Sequence, residues 1–205
     1  MTRGGKRTSG AAAPRPSLDR DAVVAEAARL VDEEGLDALS VSGVARRLGV
    51  TQPALYKHID SADDLLAGLA LLTRELLVER LTAAAVGRER DAALHAVSHA
   101  WRSVAAEHPG LYEATDRVAL TGDSTQEEAV AGVVDVLAKV AESYGLSSEE
   151  ARLSGWALRS ALHGFAALET DRGHPLDFDL EDGFEHLVQL LSEGLTAAAT
   201  MAASE

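Results

Sequence analysis

An all-α protein is the reading this sequence supports, and three observations carry it. Alanine and leucine, both strong helix formers, are abundant, aromatics make up only 4%, and runs of β-branched residues are missing. Apolar residues recur at three- and four-residue spacing along most of the 205 positions. Between those stretches stand cap and stop residues in the right order, Asp, Ser or Thr before and Gly after. The expected architecture is a three-helix head over residues 18–64 and a larger helical body over 65–205, with about nine helices in all.

Residues 1–17 are rich in Gly, Ala, Ser, Thr and Pro, with Arg3, Lys6, Arg7 and Arg15 as their only charges. Such a tail cannot bury a core and is expected to be a disordered basic arm, able to follow phosphates or enter a minor groove. Asp19 caps a helix to Glu34, with Val23, Val24, Ala27, Leu30 and Val31 as its inner stripe and Gly35 as its stop. Leu36 and Leu39 seal the join to two short helices between Leu39 and Ile59. Ser40 caps the first, whose apolar face is Val41, Val44, Ala45 and Leu48, and Gly49 ends it in a left-handed turn. Thr51 caps the second, with Pro53 in its first turn, where a missing N–H costs nothing. Val50 plugs the angle, Leu55 points inward, and Ala45 lets the second helix cross close. Outward remain Gln52, Pro53, Ala54, Tyr56, Lys57 and His58 with Thr51 ahead of them, hydrogen-bonding, stacking and cationic groups suited to a major groove.

Asp60 and Ser61, with Asp64 in the reciprocal position, open a long helix through Leu65, Leu69, Leu72, Leu76 and Leu77 toward Val86. Lying between head and body, it is the one element expected to carry a change from one to the other. A helix from about Arg90 to Glu107 ends at His108–Pro109–Gly110, a short segment follows at Leu111–Arg117, and a loop spans Thr121–Ser124. Ser124 with Glu127 makes a capping box for a helix to Tyr144, and Ser147 with Glu150 another for a helix to Glu169. A turn over Asp171–Asp179 precedes the last helix, to about Ala199.

Charge is divided sharply. Residues 1–60 hold nine Lys/Arg against eight Asp/Glu, a net of +1, whereas 61–205 hold 10 against 25, a net of −15. A body so acidic repels phosphate, so only the head should approach nucleic acid, and salt should weaken that contact. The chain has no cysteine, which excludes disulfides, thiolate metal sites and cysteine nucleophiles. No apolar stretch is long enough for a membrane span and no signal core opens the chain, so a cytoplasmic protein is expected.

The segment LSVSGVARRLGVTQPALYKHI followed by SADDLLAGL, within residues 18–70, resembles the TetR family of bacterial transcriptional regulators, GVTQPALYKHI being especially similar to the tetracycline-repressor subgroup. GWALRSALHGFAALE, preceded by HPGLY, resembles that family's C-terminal module with a Trp/His-Gly signature, here Trp156, His163 and Gly164. The resemblance implies a homodimer that binds a palindromic operator in double-stranded DNA and is released by a small-molecule effector. Such a protein is a repressor without enzymatic activity or cofactor. The alternatives are an activator, or a small-molecule-binding helical protein with a vestigial head. Carried over, Thr51, Gln52, Pro53, Ala54, Tyr56, Lys57 and His58 face DNA, with Ser40 and Ser42 on the preceding helix. Lys57 stands where the tetracycline repressor has an aromatic residue, so the operator sequence does not transfer, and neither does tetracycline.

Trp101, Tyr112, Trp156, Arg159, His163 and Phe165 are candidates to line an apolar effector pocket with a few polar anchors. Leu153, Ser160, Gly164 and Leu168 on one helix, with Phe184, Leu187, Val188, Leu191 and Leu195 on the last, form stripes suited to a four-helix dimer interface, favoured over use inside the monomer because a single small head reads too few bases. His95 and His99 have a metal-compatible spacing, but without a third ligand nearby no metal is assigned.

Overall fold

The computed structural model describes residues 18–120, 122–170 and 179–204. The expected basic arm and most of the expected turn after Glu169 lie outside them. Among the described residues are nine α-helices and one 3-10 turn, Leu36–Ala38. The head comprises α1 (Arg20–Glu34), α2 (Val41–Leu48) and α3 (Gln52–Leu55). The body adds α4 (Ala62–Ala85), α5 (Arg90–Glu107), α6 (Pro109–Arg117), α7 (Ser124–Glu142), α8 (Ser148–Thr170) and α9 (Leu180–Ala202).

The helix starts follow local chemistry. Asp19 accepts from the Ala22 N–H at 2.9 Å, Ser40 from Gly43 at 3.1 Å and Ser61 from Asp64 at 3.0 Å. Ser147 and Glu150 exchange the bonds of a capping box ahead of α8. Two expectations shift. Asp123 caps α7 in place of Ser124, because its carboxylate reaches the N–H groups of both Thr125 and Gln126 while Glu127 takes that of Gly122. Thr51 occupies the cap position of α3 without a side-chain bond, and α3 is a single turn. Beyond Leu55 the chain tightens, His58 bonding back to the Leu55 carbonyl at 2.8 Å. Gly49 has φ +68°, the left-handed conformation that lets the turn between α2 and α3 close.

There are two hydrophobic cores. The head core gathers Val23, Ala27, Leu30, Val44, Leu55 and Ile59, but it also takes Leu65 and Leu69 from α4 and Leu111 and Ala114 from α6. The body core gathers Leu77, Leu81, Leu94, Val97, Trp101, Leu137, Leu158, Leu162 and Phe184. α4 thus serves both. α6 is wedged under the head so tightly that a Cβ on Gly110 would stand 2.7 Å from Val31 Cγ1 and 3.2 Å from the Leu36 nitrogen. His108 reaches Asp32 at 3.0 Å and Arg117 reaches Asp37 at 3.3 Å. The expectation that α4 alone joins head to body is therefore corrected: α6 is a second link, and it runs between the head and the interior cleft described next.

Candidate nucleic-acid interface and interior cleft

Leu55 and Ile59 bury completely, which turns Thr51, Gln52, Pro53, Lys57 and Tyr56 outward, Tyr56 with 51% of its surface exposed. Ala54 and His58 are half-buried beside them. Ser42 is exposed, while the Ser40 hydroxyl is engaged as a cap and accepts a long 3.4 Å bond from Ser42. The head's other cations divide into used and free. Arg47 turns back to α1, meeting Glu26 at 2.7 Å and Glu33 at 2.8 Å. Arg20 ties α1 to Asp64 of α4 at 2.7 Å. Arg46 and Lys57 are exposed and make no ion pair among the described residues. Arg46 was not among the residues expected from the sequence to face DNA.

The Arg47 clamp makes the head pH-sensitive. Hydrogen bonds from Arg47 hold the Glu26 and Glu33 carboxyls below their usual range. Their folded pKa values being lowered, the stability they contribute is present above that range and is lost as pH falls through it. The melting temperature is expected to drop as pH falls below about 5, and less so in Arg47→Met. An equal drop in both proteins would show that the clamp contributes nothing.

Inside the body, Trp101 Nε1 donates to the Tyr112 hydroxyl at 2.9 Å, and that hydroxyl lies 2.8 Å from His163 Nδ1. His163 Nε2 reaches Asp116 at 3.1 Å. The pattern that satisfies every group has the Tyr112 O–H donating to Nδ1 and the neutral imidazole donating from Nε2 to Asp116. Burial pushes the Tyr112 phenol above its ordinary pKa, so it stays protonated. Around this chain lie Arg74, Leu77, Thr115, Val130, Val133 and Arg159, enclosing a void of about 20 Å³, close to the size of one water. Arg74 is only 3% exposed. It donates to the Gln126 side-chain oxygen and to the Thr115 carbonyl at 3.0 Å, both neutral acceptors. Arg159 lies over the Trp156 ring at 5.0 Å. Neither arginine has a carboxylate partner among the described residues. Burial lowers both pKa values, and each charge leans on Asp116 only at a distance. A guanidinium buried without a counter-ion, as Arg74 is, costs on the order of several kcal/mol, and with the half-buried Arg159 beside it this marks the cleft as a candidate functional site.

Two of the six pocket candidates are corrected. Trp156 stands half-exposed in an outer groove with Leu120, Val134 and Arg152. Phe165 packs against Phe184 with the rings tilted at 55° and their centroids 5.0 Å apart, and Arg102 is stacked on Phe184. Aromatic residues at helical spacing look alike whether they face a cleft, a core or water. Arg74, Thr115, Val130 and Val133 were missed. Arg74 carried a readable signal, since it interrupts the stripe Ala70, Leu77, Leu81 at a core position of α4.

Residues 23–69 match the family described as bacterial regulatory proteins, tetR family, and residues 94–191 match the tetracyclin repressor-like C-terminal domain. The chain is 35% identical over 199 residues to the HTH-type transcriptional regulator Rv0681 of Mycobacterium tuberculosis, covering 97% of this chain and 90% of that one. It belongs to the TetR family of transcriptional regulators. The fold also matches BioQ of Mycobacterium smegmatis, with TM-score 0.69 and 24% identity over 88% of this chain and 99% of that one; BioQ has also been solved with its double-stranded DNA operator. ActR of Streptomyces coelicolor, in complex with (S)-DNPA, matches with TM-score 0.66 and 22% identity over 89% and 99%.

In this TetR-family chain the two C-terminal helices keep apolar surface in reserve. On α8, Leu153, Trp156 and Leu168 are exposed in register with Ser160 and Gly164, and a Cβ at Gly164 would meet nothing within 4 Å. On α9 the exposed stripe is Leu190, Gly194 and Met201, with Leu187 and Leu191 half-buried at its edge. Phe184, Val188 and Leu195, assigned from sequence to a dimer interface, are instead buried in the chain's own core. Their face of α9 packs onto α5, where Phe184 meets the His99 ring edge at 5.1 Å. That packing also brings Glu185 to His99 at 2.8 Å and to His95 at 3.5 Å. The third ligand that the α5 sequence lacks is thus supplied from α9, and the three groups offer ligand atoms within 4.8 Å of one another.

Proposed function

We propose that this TetR-family regulator is a homodimeric cytoplasmic repressor whose residues 18–64 bind a palindromic operator and whose residues 65–205 dimerise and take up a small-molecule effector that releases the DNA. One observation carries the DNA half. The outward face of α3 and of the turn after it holds Gln52, Tyr56 and Lys57 free while Leu55, Arg47 and Arg20 tie everything behind it in place. Gln52 reads a base edge, Thr51 and Tyr56 hold phosphate, and Arg46 and Lys57 supply charge. Two such faces, one DNA turn or about 34–36 Å apart, match a twofold operator. The likeness in fold to BioQ, which has an operator complex, and to ActR, which has a ligand complex, supports the two states that the proposal needs.

Release follows from the packing. The cleft has almost no free volume, so an effector must push α4, α6 and α8 apart. Gly110 leaves α6 no slack against Val31 and Leu36, so α6 passes that movement to α1 while α4 passes it to the head core. A coupling of about 1–3 kcal/mol would lower operator affinity roughly 5- to 150-fold.

The test is selection of bound fragments from random DNA by the purified protein at two salt concentrations, followed by titration of the enriched site. A palindrome whose affinity falls steeply with salt is expected. Tyr56→Ala should then weaken binding by about tenfold with fold and oligomeric state unchanged. Unaltered affinity in that variant would remove α3 from the interface.

A further inference from the structure

We infer that the effector is a small organic anion, a carboxylate on an apolar or aromatic body, held between the guanidiniums of Arg74 and Arg159. The inference deepens the proposed release mechanism and rests on it only for the word effector; the binding site stands on geometry. Arg74 and Arg159 approach the same void from α4 and α8, Arg74 buried and Arg159 half-buried, and both without a carboxylate partner among the described residues. The acidic groups around them are committed elsewhere. Asp116 receives His163 at 3.1 Å, and Asp123 caps α7 by accepting from Thr125 at 2.9 Å.

The present partners of the two cations are substitutes that an anion would outbid. Arg74 makes do with an amide oxygen and a main-chain carbonyl, and Arg159 with the face of Trp156. A carboxylate gives a guanidinium charge-assisted bonds in bidentate geometry, which neither neutral partner does. Two like charges beside one void repel each other until an anion enters, so the site prefers an anion over its neutral analogue by the interaction with both. The remaining walls set the rest of the molecule. Leu77, Trp101, Val130 and Val133 are apolar, which suits a hydrocarbon or aromatic body and disfavours a strongly hydrated inorganic ion. Tyr112 is the wall shared by this void and an open cleft of about 600 Å³ lined by Gly110, Asp116 and Ala167. Displacing the Tyr112 ring would therefore both admit the ligand and break its bonds to Trp101 and His163. It would do so on α6, the helix locked against the head.

The experiment uses the full chain carrying Trp156→Phe, which leaves Trp101 as the only tryptophan. Straight-chain carboxylates from butanoate to decanoate, benzoate and 2-naphthoate are each titrated against the matching primary amide at constant ionic strength. Binding is read from Trp101 fluorescence and from melting temperature, and inorganic phosphate is included as a further probe. At least one carboxylate is expected to bind about tenfold or more tighter than its amide. Arg159→Gln is expected to remove that preference while leaving amide binding where it was, and Arg74→Gln should do the same if it folds. Amides binding as well as their acids across the series, a preference that survives Arg159→Gln, or phosphate matching the best carboxylate would each overturn the inference. Operator binding measured in parallel separates the two readings. A carboxylate that binds by way of Arg159 without loosening operator upholds the anion site and removes the release mechanism. Operator release by amide and acid alike upholds release and removes the anion site.

Discussion

Replacing Leu168 with glutamate is expected to leave a folded monomer that no longer holds operator at concentrations where the parent does. Leu168 is 71% exposed in one chain, and its side chain supports no core. With Leu153, Trp156, Ser160 and Gly164 it lines one face of α8, and α9 exposes Leu190 and Met201 as well. So much exposed apolar surface on the last two helices of a chain of net charge −14 marks an interaction face, because it is costly in water. A carboxylate placed there costs the monomer nothing but must be desolvated when two copies meet, in a body already acidic. Losing the dimer means each head binds its half-site alone, without the high effective concentration that tethering provides, and about 100-fold or more of operator affinity goes with it. Sedimentation equilibrium and operator titration check both halves. A dimer that survives Leu168→Glu would move the interface off α8.

Much of the head was legible because its signals are local. Asp19, Ser40 and Ser61 each cap within four residues of themselves, and Gly49 reports its own backbone angle, so chain order alone locates α1, α2 and α4. Where a signal was shared by neighbours it slipped by one: Asp123 and Ser124 are both good caps, and the carboxylate won. The body was less legible because periodicity states which residues share a face and not what the face meets. Phe184, Val188 and Leu195 do share one face of α9, as expected, but α5 occupies it, and the face left over carries Leu190 and Met201. Trp156 and Trp101 both stand at apolar positions of amphipathic helices, yet one is half-exposed in an outer groove and the other buried against Tyr112. The placement of α6 under the head depends on a contact between residues some 75 positions apart, Gly110 against Val31 and Leu36, which no local pattern encodes. The same is true of Arg74 and Arg159, which only the folded chain brings to one cleft.

Two glycines of α8 are expected to respond oppositely to the same added methyl. A Cβ on Gly155 would stand 2.7 Å from the Val134 carbonyl oxygen and 2.9 Å from the Ala138 nitrogen. Both are main-chain atoms of α7, and neither can rotate aside. Accommodating the methyl means parting α7 and α8, the pair that places Val133, Leu137 and Ala141 against Ala151, Leu158 and Leu162 in the core. Alanine gains about 1 kcal/mol of helix propensity over glycine, but overpacking against fixed backbone takes back that much and about 1–3 kcal/mol more. Gly155→Ala should therefore lower stability by about 2 kcal/mol net, read as a shift in the urea midpoint at unchanged slope. A neutral or stabilising Gly155→Ala would mean that α7 and α8 are not in contact at this point. At Gly164 a Cβ meets nothing in the single chain, so in the monomeric Leu168→Glu background Gly164→Ala should stabilise by about 0.5–1 kcal/mol, the helix-propensity gain alone. In the parent the same change places a methyl where two copies of α8 are expected to approach, and the dimer should weaken instead. A Gly164→Ala that stabilises both backgrounds equally would place residue 164 outside the contact between subunits, even if Leu168 lies within it.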